Sequence, residues 1–177
     1  SINTSSILKP SQDSMDSLLE VLHLGCHIAG SDIKDCFFRW PIHASCRRRL
    51  GVRHPVSGEL GVYLFMPPGL CSAPGLSERF VGAIVDKVAA KFPIHVCRYV
   101  DDLRITNQAH LPPDEDRALL EVHLRDFKLE LERCGLLIHV KPGKLIPPTA
   151  CIEWVGWEID TVELQVRLAP GKHAKAA

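Results

Sequence analysis

The stretch that decides the fold is Ile94-His95-Val96-Cys97-Arg98-Tyr99-Val100-Asp101-Asp102-Leu103-Arg104-Ile105-Thr106. Two β-prone runs flank a polar break, a pattern that predicts a tight hairpin with Asp101 and Asp102 at its tip. Both carboxylates then project from one turn, where the first can bind a divalent cation if a third acidic group comes from elsewhere. Because Asp is common in turns, the dipeptide alone fits a solvated hairpin without a metal better than it fits a metal site.

Asp32 is the candidate for that third acidic group. It ends a short apolar approach in Ala29-Gly30-Ser31-Asp32 and is followed by the aromatic pair Phe37-Phe38. We predict a strand that runs into Asp32. Together with the Asp pair, this residue forms a candidate two-metal site.

Five blocks of the chain, taken in order, resemble the reverse transcriptases, and specifically those of long-terminal-repeat and related retrotransposons. They are similar to the family's first palm motif, its PFGLxSAP loop, its YxDD hairpin, its fourth motif and its primer-gripping hairpin. The blocks are Asp32 to Phe38, Met66 to Pro74, Tyr99 to Asp102, Gly135 to Lys144, and Glu153 to Ile159. Each block alone is weak evidence for the family, whereas all five in order over about 130 residues are a specific signal.

Two segments refine the resemblance. Leu50 to Gly58 and the Ser72-Ala73-Pro74 loop look closest to the tyrosine-recombinase, or DIRS-like, retroelements. Pro68 departs from the family, since relatives carry Phe or Gln beside the equivalent of Gly69. The substitution removes a backbone donor and a side chain expected near the nascent base pair.

The resemblance implies two-metal polymerase chemistry. Asp32 and Asp101 would bridge two Mg²⁺ ions, for which Mn²⁺ can substitute, and Asp102 would be the supporting carboxylate. Lys144 would protonate the leaving pyrophosphate or stabilise its charge. The spacing of this block is one residue longer than usual in the family, so the match can instead fall on Lys141.

The resemblance also implies contacts to the nucleotide and the primer. Phe37 would screen the sugar 2′ position, because a bulky ring there clashes with a ribose hydroxyl. The implied substrate-binding residues are Phe37, Pro68, Gly69 and Tyr99. The implied primer-binding residues are Trp154, Gly156 and Trp157. For Phe37 and for the two tryptophans, ordinary core packing is the alternative interpretation.

The pattern of elements predicts an α+β fold, a polymerase palm in which helices pack on one face of an antiparallel sheet. The expected helices run from Ser14 towards Gly25, from Pro74 to Pro93 and from Pro112 to Gly135. Residues 47–54 and 59–66 are expected to form a hairpin, and the rest to alternate short strands with turns at Pro142-Gly143 and Pro147-Pro148.

Composition fits one domain of this kind. The chain has 177 residues, 46% of them hydrophobic, and seven scattered cysteines that indicate a reducing, intracellular setting in the cytoplasm or nucleus. We expect a flexible lead-in at 1–12, a palm at 13–168 with a partial fingers hairpin at about 43–66, and a flexible tail at 169–177. No thumb and no membrane span are expected. Lys and Arg balance Asp and Glu at 21 each, which predicts weak binding of template by this piece alone.

The predicted function is that of an RNA-directed DNA polymerase palm, a nucleotidyltransferase that uses deoxynucleotides and an RNA or DNA template-primer. The rest of a larger polyprotein, with fingers, thumb and RNase H, is the expected partner. The alternative is a domesticated, inactive palm that serves as a protein- or RNA-binding scaffold. A minor alternative is zinc at His23, Cys26 and His27, which lack a second ligand pair.

Overall fold

A computed structural model of the protein describes residues 13–170. The predicted lead-in at 1–12 and residues 171–177 of the predicted tail lie outside the described residues. Within them, the chain divides into two compact units: the inserted unit, Asp35–Gly82, and the main unit, residues 13–34 together with 83–170. No helix of the described part is long and apolar enough to cross a bilayer.

The described elements alternate helices with short antiparallel strands, as the sequence pattern predicts. In chain order they are α1 (Met15–Leu19), β1 (Ile28–Asp32), a 3-10 turn (Phe37–Arg39), α2 (Ala44–Arg47), β2 (Gly51–Arg53), β3 (Leu60–Val62), α3 (Ala73–Ala89), β4 (Ile94–Tyr99), β5 (Asp102–Asn107), α4 (Pro113–Arg133), β6 (Ile146–Thr149), β7 (Cys151–Trp154), β8 (Trp157–Asp160) and β9 (Gln165–Leu168).

The main unit contains a four-stranded antiparallel sheet with the order β4-β5-β1-β6. A second sheet has three antiparallel strands in the order β7-β8-β9. This mixture of helices with antiparallel sheets confirms the predicted α+β class.

The two faces of β5 pack against different elements. Successive side chains in a strand point to opposite sides, so Asn107 and Arg104 lie on opposite faces. Asn107 donates from Nδ2 to the Asp116 carboxylate at 2.8 Å, and Asp116 lies in α4. Arg104, on the other face, donates from Nη2 to the Glu153 carbonyl of β7 at 2.9 Å. The long helix therefore covers one face of the sheet, whereas the other face carries the β7–β9 sheet.

The core of the main unit joins the two sheets to α1. Six buried side chains form one cluster: Leu18, Ile28, Cys97, Ile152, Trp154 and Ile159. Burial of this apolar surface supplies the main drive for packing the second sheet on the first. Ala169 is also buried and donates its amide to the Gly156 carbonyl at 3.0 Å, so the packed structure extends into the segment predicted to be a tail.

Several boundaries differ from the sequence predictions for local reasons. Helix α1 ends at Leu19 because the chain then turns to let the Gly25 amide bond to the Thr161 carbonyl at 2.9 Å. Helix α3 ends at Ala89, after which the Lys91 and Phe92 amides bond three residues back to the Val88 and Ala89 carbonyls in a tighter turn. The predicted turn at Pro147-Pro148 is wrong: both lie in β6, an edge strand, where a missing amide donor is tolerated.

The inserted unit holds the predicted hairpin in a shorter form. Strands β2 and β3 pair over three residues each, and the Arg53 guanidinium donates to the Gly58 carbonyl at 2.9 Å across the turn. The start of the expected first strand is helical instead, in α2. In the middle of α3, Phe80 stacks on Trp40 with a distance of 4.9 Å between ring centroids.

Candidate active site

The three candidate metal-binding carboxylates lie at one end of the four-stranded sheet. Asp32 ends β1 and stands directly opposite Asp102, the first residue of β5. The Ile33 amide donates to the Asp101 carbonyl at 2.8 Å, which ties the hairpin tip to the chain just beyond Asp32. Strand pairing therefore brings together acidic residues that are about seventy positions apart in sequence.

The hairpin forms where the sequence predicts it, but Asp102 begins β5 instead of lying in the turn, and the backbone of the turn is strained. Tyr99 and Asp102 form the last pair between β4 and β5, leaving Val100 and Asp101 as the turn. Val100 has a φ of 60°, in the left-handed region that a β-branched residue rarely occupies. Such strain is retained where the surroundings over-determine the conformation, which is common at functional sites.

Asp32 is buried and is held by two basic residues. Its side chain is 8% exposed, and the Lys144 ammonium bonds to its Oδ2 atom. His139 places Nε2 at 3.7 Å from Oδ1, and its backbone amide donates to the Asp32 carbonyl at 2.8 Å. The sequence left open whether Lys141 or Lys144 matches the family's lysine, and Lys144 is the one that contacts Asp32. A turn in which the Lys144 amide donates to the Lys141 carbonyl at 3.0 Å precedes this contact.

Asp102 is held differently, by an arginine on its own strand. The Arg104 guanidinium bonds through Nη1 to Asp102 Oδ1. The Asp102 side chain is 34% exposed, whereas that of Arg104 is 5% exposed. The carboxylate thus faces solvent on one side while a buried cation fixes one of its oxygens.

The electrostatics of the cluster favour a bound cation. Burial raises the pKa of Asp101, and the negative charge of Asp32 raises it further. Burial also raises the pKa of Asp102, although the Arg104 charge opposes that shift. Lys144 has a raised pKa because of its bond to Asp32. Carboxylates that repel one another in this way gain from any positive charge placed between them.

The three carboxylates are chemically suitable ligands for a hard divalent cation. Mg²⁺ binds carboxylate oxygens and keeps water or phosphate in its other coordination positions. As they stand, however, no three acidic, histidine or cysteine side chains among residues 13–170 converge as a ready-made metal cage. Lys144 and Arg104 each engage one carboxylate oxygen of the cluster. A cation would therefore have to share Asp32 with Lys144 or displace its ammonium.

The zinc alternative has no support in the geometry. The His23 ring stacks on His110 at 4.1 Å between centroids, and His27 Nδ1 lies 3.1 Å from the buried Asp116 carboxylate. Cys26 is buried and accepts a hydrogen bond from the His23 amide. These contacts account for the three residues as packing and hydrogen-bonding groups.

The predicted nucleotide-binding residues are distributed over both units. Tyr99 lies in the main unit beside the Asp pair and is 39% exposed. The inserted unit contains Phe37, half-buried at the start of the 3-10 turn, and the exposed Pro68-Gly69, where Gly69 has a φ of 84°. Their roles toward a nucleotide stay predictions.

The predicted primer-binding residues form the β7–β8 hairpin. Val155 and Gly156 make its two-residue turn with φ of 49° and 83°, the left-handed combination that matches strand twist. Trp154 is fully buried in the core, so its ring shapes the hairpin from within, whereas Trp157 opposite it is 39% exposed. Contact with a primer stays a prediction, now for Trp157 and the turn backbone.

Two residues at the site were missed by sequence reasoning. Arg104 had a usable signal, because residues two apart in a strand share a face and a charge there can reach Asp102. His139 had none, since the Asp32–His139 contact depends on the tertiary path of the chain after α4.

Comparisons with known proteins show which family this chain resembles. A family model described as reverse transcriptase (RNA-dependent DNA polymerase) matches residues 2–159. The chain is 26% identical over 120 residues to the Gag-Pro-Pol polyprotein of Mason-Pfizer monkey virus, covering 64% of this chain and 6% of the polyprotein. It is 29% identical over 86 residues to the Gag-Pro-Pol polyprotein of squirrel monkey retrovirus, covering 45% of this chain and 5% of that polyprotein.

A solved structure shows the same fold. The foamy viral protease-reverse transcriptase dRH in complex with ds DNA superposes with a TM-score of 0.69 at 19% identity, covering 98% of this chain and 28% of that one. The chain thus spans only a small part of these larger proteins. With the family model matched over most of its length and the three carboxylates at one sheet end, this chain belongs to the reverse transcriptase family.

Proposed function

We propose that this chain is the palm of an RNA-directed DNA polymerase from a retroelement, acting inside the cell on a template-primer and deoxynucleotides. The observation that carries the proposal is the placement of Asp32 opposite Asp102 with Asp101 bonded to the neighbouring Ile33. Adjacent carboxylates at a strained hairpin tip are costly unless a cation uses them.

Asp32 and Asp101 would hold two Mg²⁺ ions, with Asp102 as the supporting carboxylate. When bound, such ions would activate the primer hydroxyl and neutralise phosphate charge. Lys144, kept protonated by its bond to Asp32, would offset charge on the departing pyrophosphate or give it a proton. Phe37, Pro68, Gly69 and Tyr99 would position the nucleotide.

The β7–β8 hairpin would position the primer end through Gly156 and Trp157, while Trp154 anchors it in the core. The balance of 21 basic and 21 acidic residues predicts weak binding of nucleic acid by this segment, so the fingers, thumb and RNase H regions of a larger polyprotein are the proposed partners. The dsDNA complex of the foamy viral relative supports a nucleic-acid partner.

A second candidate is an inactive palm that serves as a binding scaffold. The observation that favours it is the pairing of Asp32 with Lys144 and of Asp102 with Arg104, which compensates the carboxylates without any metal. In that case, binding of a protein or RNA partner would not depend on Asp101.

Single-nucleotide primer extension on an RNA template tests the proposal, at low salt with Mg²⁺ and then Mn²⁺. We expect incorporation by the wild type and none by Asp101→Asn. Asp114→Asn, an exposed carboxylate in the first turn of α4, is the matched control and should extend normally. Extension by Asp101→Asn at the wild-type rate would refute the assigned site.

Thermal unfolding with the same cations separates an inactive fragment from a scaffold. A cation at ten times its Kd stabilises the folded state by about 1.4 kcal/mol, which corresponds to roughly 3 to 6 °C for a chain of this size. We expect this shift in the wild type and in Asp114→Asn, and its loss in Asp101→Asn. An unshifted wild type without extension would favour the scaffold.

A further inference from the structure

Arg104 is a buried arginine with three hydrogen bonds to three different positions. Nη1 bonds to Asp102 Oδ1 and to the Leu103 carbonyl, the latter at 2.9 Å, and Nη2 donates to the Glu153 carbonyl at 2.9 Å. Asp102 and Leu103 belong to β5 of the four-stranded sheet, whereas Glu153 belongs to β7 of the three-stranded sheet. One planar guanidinium therefore spans the two sheets of the main unit.

Stability alone does not explain this arginine. The residue is 4% exposed, and its buried Nε atom has no hydrogen-bond partner among residues 13–170. Burying a charge and leaving a donor unsatisfied are both unfavourable, and well-packed apolar residues often replace buried ion pairs without loss of stability. Its neighbours on the strand, Leu103 and Ile105, are fully buried apolar residues.

The position of Arg104 links two parts of the site. Its bond to Asp102 orients the carboxylate beside the hairpin tip, and its bond to the Glu153 carbonyl holds the first strand of the hairpin proposed to grip the primer. Because the guanidinium is rigid, a shift of either partner must be followed by the other or break a bond.

We propose that Arg104 is a positioning residue that locks the β7–β8 hairpin to Asp102 and compensates the Asp102 charge, leaving Asp32 and Asp101 to the metal ions. The proposal rests on the proposed polymerase function for its kinetic consequence. Its electrostatic consequence requires only that a divalent cation binds at the carboxylates, and its structural consequence, the hold on the hairpin, is independent of that function.

The electrostatic consequence follows from the charges at the site. Asp32, Asp101 and Asp102 face the two cationic groups of Lys144 and Arg104, which leaves one net negative charge. Loss of the guanidinium would leave two, so a divalent cation should bind more tightly even though the hairpin is released. A residue that merely supported the fold would weaken cation binding when removed.

The test compares three variants. Arg104→Met removes the charge and the bonds, and Arg104→Lys keeps the charge but cannot reach Asp102 and Glu153 with one rigid fork. Thr106→Val is the control, because Thr106 is buried on the same face of β5 and its hydroxyl has no hydrogen-bond partner in the described part of the chain. Measurements are Mn²⁺ affinity by calorimetry, hydrogen exchange of residues 151–160, and single-turnover nucleotide addition.

We expect Arg104→Met to bind Mn²⁺ two- to tenfold more tightly while adding nucleotide at least tenfold more slowly. Arg104→Lys should keep the wild-type Mn²⁺ affinity within twofold yet lose at least fivefold in rate. Both should speed hydrogen exchange in the hairpin, and Thr106→Val should match the wild type in all three measurements.

Weaker Mn²⁺ binding in Arg104→Met, or unchanged hairpin exchange in both variants, would overturn the proposal. If Arg104→Met does not fold, Arg104→Lys tests the proposal through hydrogen exchange in the hairpin and the rate of nucleotide addition. If the wild type adds no nucleotide, Mn²⁺ affinity and hydrogen exchange decide whether Arg104 couples Asp102 to the hairpin, and the thermal-unfolding test decides between an inactive fragment and a scaffold.

Discussion

Replacing Gly30 with alanine should destabilise the main sheet and disturb the candidate active site. Gly30 lies in β1 between Arg104 of β5 and Ile146 of β6. A methyl group on Gly30 would lie 2.9 Å from Ile146 Cδ1, 3.0 Å from its Cβ and 3.1 Å from its Cγ1. A rotamer change can move Cδ1 and Cγ1, but Cβ moves only with the backbone of β6.

The size of the effect follows from two opposing terms. Overpacking costs about 1 to 3 kcal/mol, and the entropy gain from replacing a glycine returns about 0.4 to 1 kcal/mol. Strand β6 ends the described sheet, so it can shift outwards and keep the cost in the lower part of the range. The net loss of roughly 0.5 to 2 kcal/mol corresponds to a fall in Tm of about 1 to 8 °C.

A shift of β6 also has a functional consequence. Lys144 is two residues before Ile146, and its ammonium is bonded to Asp32. Moving the strand outwards should weaken that bond. We therefore expect Gly30→Ala to slow nucleotide addition even at temperatures where the variant is fully folded.

The assay is thermal unfolding followed by circular dichroism. Gly61→Ala is the matched control, because a methyl group there would lie an ordinary 3.8 Å from Val52 Cγ1. Ile146→Ala should partly rescue Gly30→Ala, since it removes the Cγ1 and Cδ1 contacts but keeps Cβ. Equal Tm values for Gly30→Ala and Gly61→Ala, or strictly additive losses in the double variant, would refute the reasoning.

Three further predictions test the core and its buried polar groups. Leu18→Ala should cost about 2 to 5 kcal/mol in urea unfolding, because Leu18 is fully buried, whereas Leu19→Ala at a 38% exposed position should cost under 1 kcal/mol; equal losses would contradict this packing. Burial raises the pKa of the Cys97 thiol to about 12, so at pH 8 iodoacetamide should modify the exposed Cys134 and spare Cys97. Because the unfolded thiol ionises near its ordinary value of 9.0, the stability from a neutral Cys97 is complete below that pH and should decline as pH rises towards 12. Asp116→Ala should lower the free energy of unfolding by about 2 to 4 kcal/mol, because it removes a buried hydrogen-bond acceptor. That carboxylate accepts from the His27 amide at 2.6 Å and from the Asn107 side chain. A stability loss below about 1 kcal/mol would show that water replaces it.

The elements that the sequence predicts well are those with strong local signals. The hairpin tip at Val100-Asp101 follows from two β-prone runs, and α4 follows from its proline start and from Gly135, which has a φ of 86° in the structure. The boundaries that differ depend on contacts from far along the chain. The end of α1 is one case, because the bond from Gly25 to Thr161 joins residues that no local pattern relates.

The candidate active site likewise has residues that the sequence indicates and features that only the tertiary structure shows. Asp32, Asp101, Asp102 and Lys144 were identified through the resemblance of whole motifs, and strand pairing with the turn before β6 brings them together. Trp154 shows the limit of that approach, since a motif predicts a primer contact while the structure places the ring in the core. Whether a side chain faces a ligand or the interior depends on the partner elements.

By itself, the sequence determined the order of helices and strands through periodicity and turn chemistry, and it indicated the family and the acidic residues of the candidate site through the resemblance of whole motifs. The tertiary structure alone decided that Lys144 bonds to Asp32, that Arg104 joins Asp102 to Glu153, and that β6 packs beside Gly30. The physical reason is that these contacts arise from the packing of distant segments, and their geometry is set by steric fit and hydrogen bonding after the chain has folded.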